Sequence, residues 1–191
     1  MERKSYILIS TKDKIIEYSI KLIKTKGYSS FSYDDIAQKL KISKAAVHHH
    51  FEKKEDLGIA VCQYLQSKIE EGSGKILKQG LHPWIFAETR INTIKSGEIC
   101  PIFSLQSDFD QFSPKLKKEL KKTTEMEIEH FKKLVEKYAP GLTDYSQAVN
   151  SYLALKGALQ YRRILGEEFY KESVISIKKE FYDFLDKKES N

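Results

Sequence analysis

The 191-residue chain is 40% hydrophobic and 31% charged, with a formal net charge of +6. That balance excludes general disorder and supports a buried core in one domain or two small ones. No uncharged stretch in a helical pattern is longer than Tyr145 to Leu155, which falls far short of the roughly 18 apolar residues of a membrane span. The run Ile7-Leu8-Ile9 is too short for a secretory leader, so the expectation is a cytoplasmic protein without a membrane partner.

Almost every segment reads helical, with apolar residues recurring at three and four positions and no sustained alternation. The first predicted helix runs from about Ser10 to Lys26, with Ile16, Ile20 and Ile23 in one stripe and Gly27 as its stop. Ser32, followed by Asp35, caps a second over Tyr33 to Leu40. Lys41-Ile42 is a short turn. Ser43 then caps a third helix, Lys44 to about His50. A fourth begins near Lys54 and runs through Ile69, and Gly72-Ser73-Gly74 predicts a break or kink. Further helices are expected over Pro83 to Ser96, briefly after Pro101, and over Pro114 to Tyr138. Two more, Asp144 to Leu165 and Glu168 to Lys187, are separated by Gly166. The fold class is all-α.

Charge is unevenly placed. Met1 to Leu57 holds 12 Lys/Arg against 8 Asp/Glu, so most of the positive excess lies in the first third. Arginine is confined to Arg3, Arg90, Arg162 and Arg163. Two short helices joined by a tight turn, behind a longer one, predict a helix-turn-helix unit. Its second helix carries Val47 and Phe51 for an inner face and Lys44, Ala45, His48 and His49 outside. Alanines there let the backbone approach base edges and offer methyl contacts to thymine.

Ile15-Ile16 through Leu22-Ile23, Lys26-Gly27-Tyr28, Ile36-Ala37, Ile42 to Val47 and Phe51 to Leu57 together resemble the DNA-binding domain of TetR-family (TetR/AcrR-like) transcriptional regulators. The likeness covers roughly Ser10 to Leu57. It implies a helix-turn-helix DNA-binding domain over 1–57 and a larger helical effector-binding and dimerisation domain over 58–191. It implies DNA contacts from Ser32, Ser43, Lys44, Ala45, Ala46, His48, His49 and Lys54, with Ser32 and Lys54 at helix starts facing phosphates. The amino-terminal lysines and Arg3 add phosphate or minor-groove contacts. Two positions depart from the family. Lys41 stands where glycine is common, at a cost of roughly 1 kcal/mol if the turn is left-handed. His48 stands where tyrosine is usual, so DNA binding is expected to tighten as its imidazole gains a proton. No arginine on the third helix serves as a guanine reader, so few base contacts are expected.

For the second two-thirds the resemblance implies a homodimer through the last two helices, where Ser151, Ala154 and Ala158 form a small-residue seam that intramolecular packing would also produce. It also implies a small-molecule effector, apolar or electrophilic, that favours a form unable to bind a palindromic operator. Trp84, Phe86, Cys100, Phe103, Phe131, Tyr152 and Leu155 are the candidate ligand-binding residues. An ordinary aromatic core would carry the same pattern. Cys100, before a short helix, reads either as a reactive thiol or as a small buried hydrophobe. The consecutive His48-His49-His50 point about 100° apart on a helix and do not share a metal easily. No phosphate loop, metal spacing or nucleophile motif is present. The reading is therefore a regulator rather than an enzyme, without a cofactor; a repressor is favoured over an activator or an effector-insensitive DNA-binding protein.

Overall fold

The short helices of the first third are set by side chains at their ends. In the computed structural model, which describes residues 10–142 and 144–186, α1 (Thr11–Lys26) starts where Ser10 accepts the Asp13 N–H. It stops at Gly27 (φ 89°). Ser32 and Asp35 cap each other at the start of α2 (Tyr33–Leu40). Ser43 accepts the Ala46 N–H at the start of α3 (Lys44–His50). Each cap satisfies a donor that the helix cannot. Ile15, Ile23, Ile36, Val47 and Leu57 close the core between these helices.

The α2–α3 turn is left-handed at Lys41 (φ 55°, ψ 44°), the non-glycine residue with positive φ among the described residues. Its Cβ meets the steric cost expected of that region. Lys41→Gly is expected to raise unfolding free energy by about 0.5–1 kcal/mol, the strain relieved less the entropy glycine adds to the unfolded chain. Urea denaturation measures this.

The predicted break at Gly72-Ser73-Gly74 does not occur: α4 (Lys54–Gln79) is continuous. Each helical glycine costs about 1 kcal/mol relative to alanine, but α4 lies along α7 (Pro114–Tyr138) for much of its length. Ser73 is buried against it, its Oγ 2.6 Å from His130 Nδ1. Packing outweighs propensity. Elsewhere on α4 a glycine is required, since a Cβ on Gly58 would sit 2.7 Å from Tyr28 Oη. The expected domain division after Leu57 lies in the first turn of α4, so one rigid helix crosses it.

The fifth helix is shorter than predicted. α5 (Trp84–Asn92) ends before Ser96, and beyond its end the carbonyls of Ile94 and Lys95 accept from Arg162. Next come α6 (Pro101–Ser107) and a single 3-10 turn (Phe109–Gln111). The last helix, α8 (Ser146–Asp186), turns sharply at Gly166 (φ 89°), giving the two arms expected from the sequence. Asp144 accepts the Ser146 N–H at its start. The predicted end at Lys187 lies outside the described residues. Trp84, Phe86, Phe131, Tyr152 and Phe181 form the aromatic centre of the larger body, with Phe131 and Tyr152 stacked at 4.7 Å. Fully burying each such side chain contributes about 1.5–3 kcal/mol.

Candidate nucleic-acid interface and ligand cavity

One side of α3 is inward and the other is open. Val47 is fully buried, and Phe51 closes the helix beneath it. Ser43, Lys44, Ala45, His48 and His49 are exposed and Ala46 is half-buried. The outward surface thus consists of small side chains and donors, with no bulky residue to hold the backbone away from a groove. Lys44 pairs with Asp34 at 2.7 Å, both exposed. An exposed pair of this kind contributes little, so Lys44 can exchange Asp34 for a phosphate.

His48 is oriented from two sides. Its ring lies edge-on to Tyr33 (4.7 Å between centroids), and Nδ1 is 3.2 Å from the Glu52 carbonyl. A carbonyl only accepts, so Nδ1 carries the proton and Nε2 faces outward. A phosphate oxygen is also only an acceptor. Nε2 can therefore bond one only in the imidazolium form.

Ser32 and Lys54 are differently employed. The Ser32 hydroxyl is engaged with Asp35, whose carboxyl is held down to about 2 by the Lys26 ammonium and by Ser32 itself. The Lys54 ammonium turns inward. It donates to the carbonyls of Phe31 (2.6 Å) and Ser29 (3.1 Å) and lies 4.3 Å over the Phe31 ring. Burial lowers its pKa, against the pull of Asp108 and Asp35. Among the described residues no three His, Cys, Asp or Glu are placed to hold a metal. The arm carrying Arg3 lies outside the described residues.

A cavity of about 550 Å³ opens between α1, α4, α5, α6 and α8, within the size range of small-molecule sites. Of the residues expected to meet a ligand, Phe86 and Cys100 are in its wall. Trp84, Phe131, Tyr152 and Leu155 pack behind it in the aromatic core. Phe103 is half-buried, with the Lys156 ammonium 5.5 Å from its ring centre.

At the inner end is an ion cluster that sequence reasoning missed. Glu127, from α7, accepts from Lys156 Nζ at 3.0 and 3.3 Å and from Arg90 Nε at 3.0 Å. Glu127 and Lys156 are 3% and 6% exposed, so desolvation opposes every charge here. The partners outweigh it. Burial would raise the Glu127 pKa, but Lys156 and Arg90 bring it below the usual carboxylate value. Burial would lower that of Lys156, but Glu127 raises it. All three groups are ionised. The available signal was Lys156 itself, a lysine one turn after Tyr152 and one turn before Leu159 on an apolar face.

α6 joins this cavity to the three-helix unit. Cys100, Pro101 and Ile102 line the wall. One turn on, Ser104 Oγ accepts the Tyr28 N–H at 2.9 Å. Ile99 N–H donates to the Lys24 carbonyl at 2.8 Å, and Ser29 Oγ donates to Asp108 at 2.6 Å. The first arm of α8 meanwhile exposes Leu153, Tyr161, Ile164 and Leu165, with Ile164 84% exposed. Ala158 and Ser151 of the small-residue seam are buried instead. No described helix is long and apolar enough to cross a membrane.

A capped helix-turn-helix on a larger, cavity-bearing helical body defines a helix-turn-helix regulator. Residues 15–61 match the family profile described as bacterial regulatory proteins, tetR family, which places a tetR-type DNA-binding unit in the first third of the chain. Over 46 residues the chain is 41% identical to IcaR of Staphylococcus epidermidis, a "biofilm operon icaADBC HTH-type negative transcriptional regulator". That alignment covers 24% of this chain and 25% of the relative, so the chain matches about a quarter of that protein's length. A TetR transcriptional regulator of Legionella pneumophila superposes with a TM-score of 0.78 at 26% identity, covering 91% of this chain and 98% of that one. A TetR-family regulator of Agrobacterium tumefaciens shares the fold, with a TM-score of 0.74 at 22% identity over 91% and 96%.

Proposed function

We propose that this protein is a homodimeric repressor that reads a palindromic operator through α3 and is released by a small molecule in the cavity. The observation that carries the reading is the outward surface of α3: Lys44, Ala45, His48 and His49 open to solvent on a helix whose inner side is locked by Val47. One short helix reads too little duplex alone, so two copies are needed on adjacent half-sites. The exposed apolar stripe on α8 supports pairing through that helix. The α6 contacts with α1 offer the coupling, since a ligand that moves α6 must also move Tyr28 and Lys24. The ligand acts only through its differential affinity for the two forms, and a two- to three-order loss of DNA affinity needs about 3–4 kcal/mol of it. Cys100 lies in the same wall, 3.6 Å from Lys156 Nζ, so an electrophilic ligand would meet a thiol there.

The test is a mobility-shift and cleavage-protection assay on DNA flanking the protein's own coding region. The expected result is a protected palindrome. Protection without a palindrome would remove the two-half-site part of the reading. Reporter output on deletion separates repressor from activator.

A further inference from the structure

The cavity is chemically asymmetric. Ile85, Phe86, Ile91 and Ile102 make its body apolar, while its ionic lining is strongly cationic. Lys24, Lys68, Lys75, Arg90 and Lys156 line it, against Glu71 as the one lining carboxylate among the described residues. Glu98 neutralises Lys24 at 2.9 Å, and Glu71 bridges Lys68 and Lys75 at 2.8 and 2.7 Å. At the inner end Arg90 and Lys156 share Glu127 alone. Two positive charges are therefore in excess, one at the solvent-facing mouth and one at the buried end. The buried excess matters more, because charge is poorly screened away from water. Lys156 also has a donor without a strong acceptor. Its ammonium has three N–H bonds; Glu127 takes contacts at both carboxylate oxygens, and the other neighbours are weak acceptors, Cys100 Sγ at 3.6 Å and the Phe103 and Tyr152 rings at 5.5 and 6.0 Å.

We propose that the cavity binds an amphipathic organic anion, with its apolar body among the isoleucines and Phe86 and its carboxylate, sulfonate or similar head against Lys156 and Arg90. The head completes a cluster that holds two cations for one anion, and it replaces a thiol by a strong acceptor at Lys156. A cationic or neutral amphiphile gains neither contact. This rests on the cavity being the effector site and names the class of effector it takes.

A matched pair of fluorescent probes tests it: 8-anilino-1-naphthalenesulfonate and N-phenyl-1-naphthylamine, which share a skeleton and differ by the sulfonate. The full-length protein is expected to bind the sulfonate at least about tenfold more tightly. Ile85→Trp, which fills the cavity from its half-exposed wall, is expected to abolish binding of both. Lys156→Met, which leaves Arg90 and Glu127 as a neutral pair, is expected to bring the two dissociation constants together, and Lys156→Arg to keep them apart. Circular dichroism checks that each variant is folded; if Lys156→Met is not, the wild-type preference and Lys156→Arg decide. Equal binding, or a preference for the neutral probe, with both lost in Ile85→Trp, overturns the anion class and leaves the cavity as a ligand site. Binding of neither probe, or binding that Ile85→Trp does not change, overturns the cavity reading and this inference with it.

Discussion

Glu127→Ala is expected to lower unfolding free energy by about 3–5 kcal/mol at pH 7, because it leaves two largely buried cations facing each other without the carboxylate they share. Arg90 and Lys156 reach Glu127 from α5 and α8 while Glu127 itself belongs to α7, so the carboxylate ties three helices at one point. Against a typical domain stability of about 5–15 kcal/mol this is a large fraction. The pH dependence follows from the direction of the shift. The folded Glu127 pKa lies below the unfolded one, so its contribution is complete above the unfolded value, about 4.3 for a glutamate, and is lost as pH falls through the folded one. Urea denaturation from pH 7 down to pH 3 should therefore show this loss in the wild type. In Glu127→Ala that acid-limb component should be missing. The triple variant Arg90→Met, Glu127→Met, Lys156→Met should recover most of the stability, since replacing a buried ion cluster by apolar side chains is often neutral or better. A loss below about 1 kcal/mol in Glu127→Ala would show that the cluster is well hydrated and not the tie described here.

Ile164→Glu is expected to leave the fold intact and to make the protein a monomer with at least about 100-fold weaker operator binding. Ile164 is 84% exposed, so a glutamate there costs the isolated chain almost nothing. In a symmetric pair the same position is presented by both copies, and burying two carboxylates in an apolar stripe without partners is strongly unfavourable. Sedimentation velocity reads the oligomeric state, and the mobility shift reads the affinity. A variant that remains a dimer would place the interface elsewhere than on the Leu153–Tyr161–Ile164–Leu165 stripe. A monomer that still binds the operator as tightly would remove the need for two half-sites. Secondary-structure content and urea midpoint close to the wild type distinguish either result from unfolding.

The site residues separate by how local their determinants are. Ser10, Ser32 and Ser43 act on donors three residues away, so the helix starts and the open face of α3 could be read from short stretches of sequence. Lys54 could be placed at a helix start by the same means. That its ammonium would fold back onto Phe31 and Ser29 depends on a contact 23–25 residues distant. Period and spacing place Trp84, Phe131, Tyr152 and Leu155 on inward faces correctly. They do not distinguish an inward face that meets another side chain from one that meets a void. Phe86 and Cys100 border the cavity because of how five helices pack, and no residue's own neighbours encode that.

By itself, the sequence determined the all-helical architecture, the capped helix-turn-helix and the break at Gly166, because caps, periodicity and backbone sterics act over a few residues; which of two shapes the Lys41 turn takes came from the structure. Only the tertiary structure decided that α4 stays whole through Gly72 and Gly74, that a cavity lies beside α6, and that Arg90, Glu127 and Lys156 meet within it. Those three residues are 37 and 29 positions apart along the chain. Their charges become neighbours, and become buried, only when α5, α7 and α8 pack against one another.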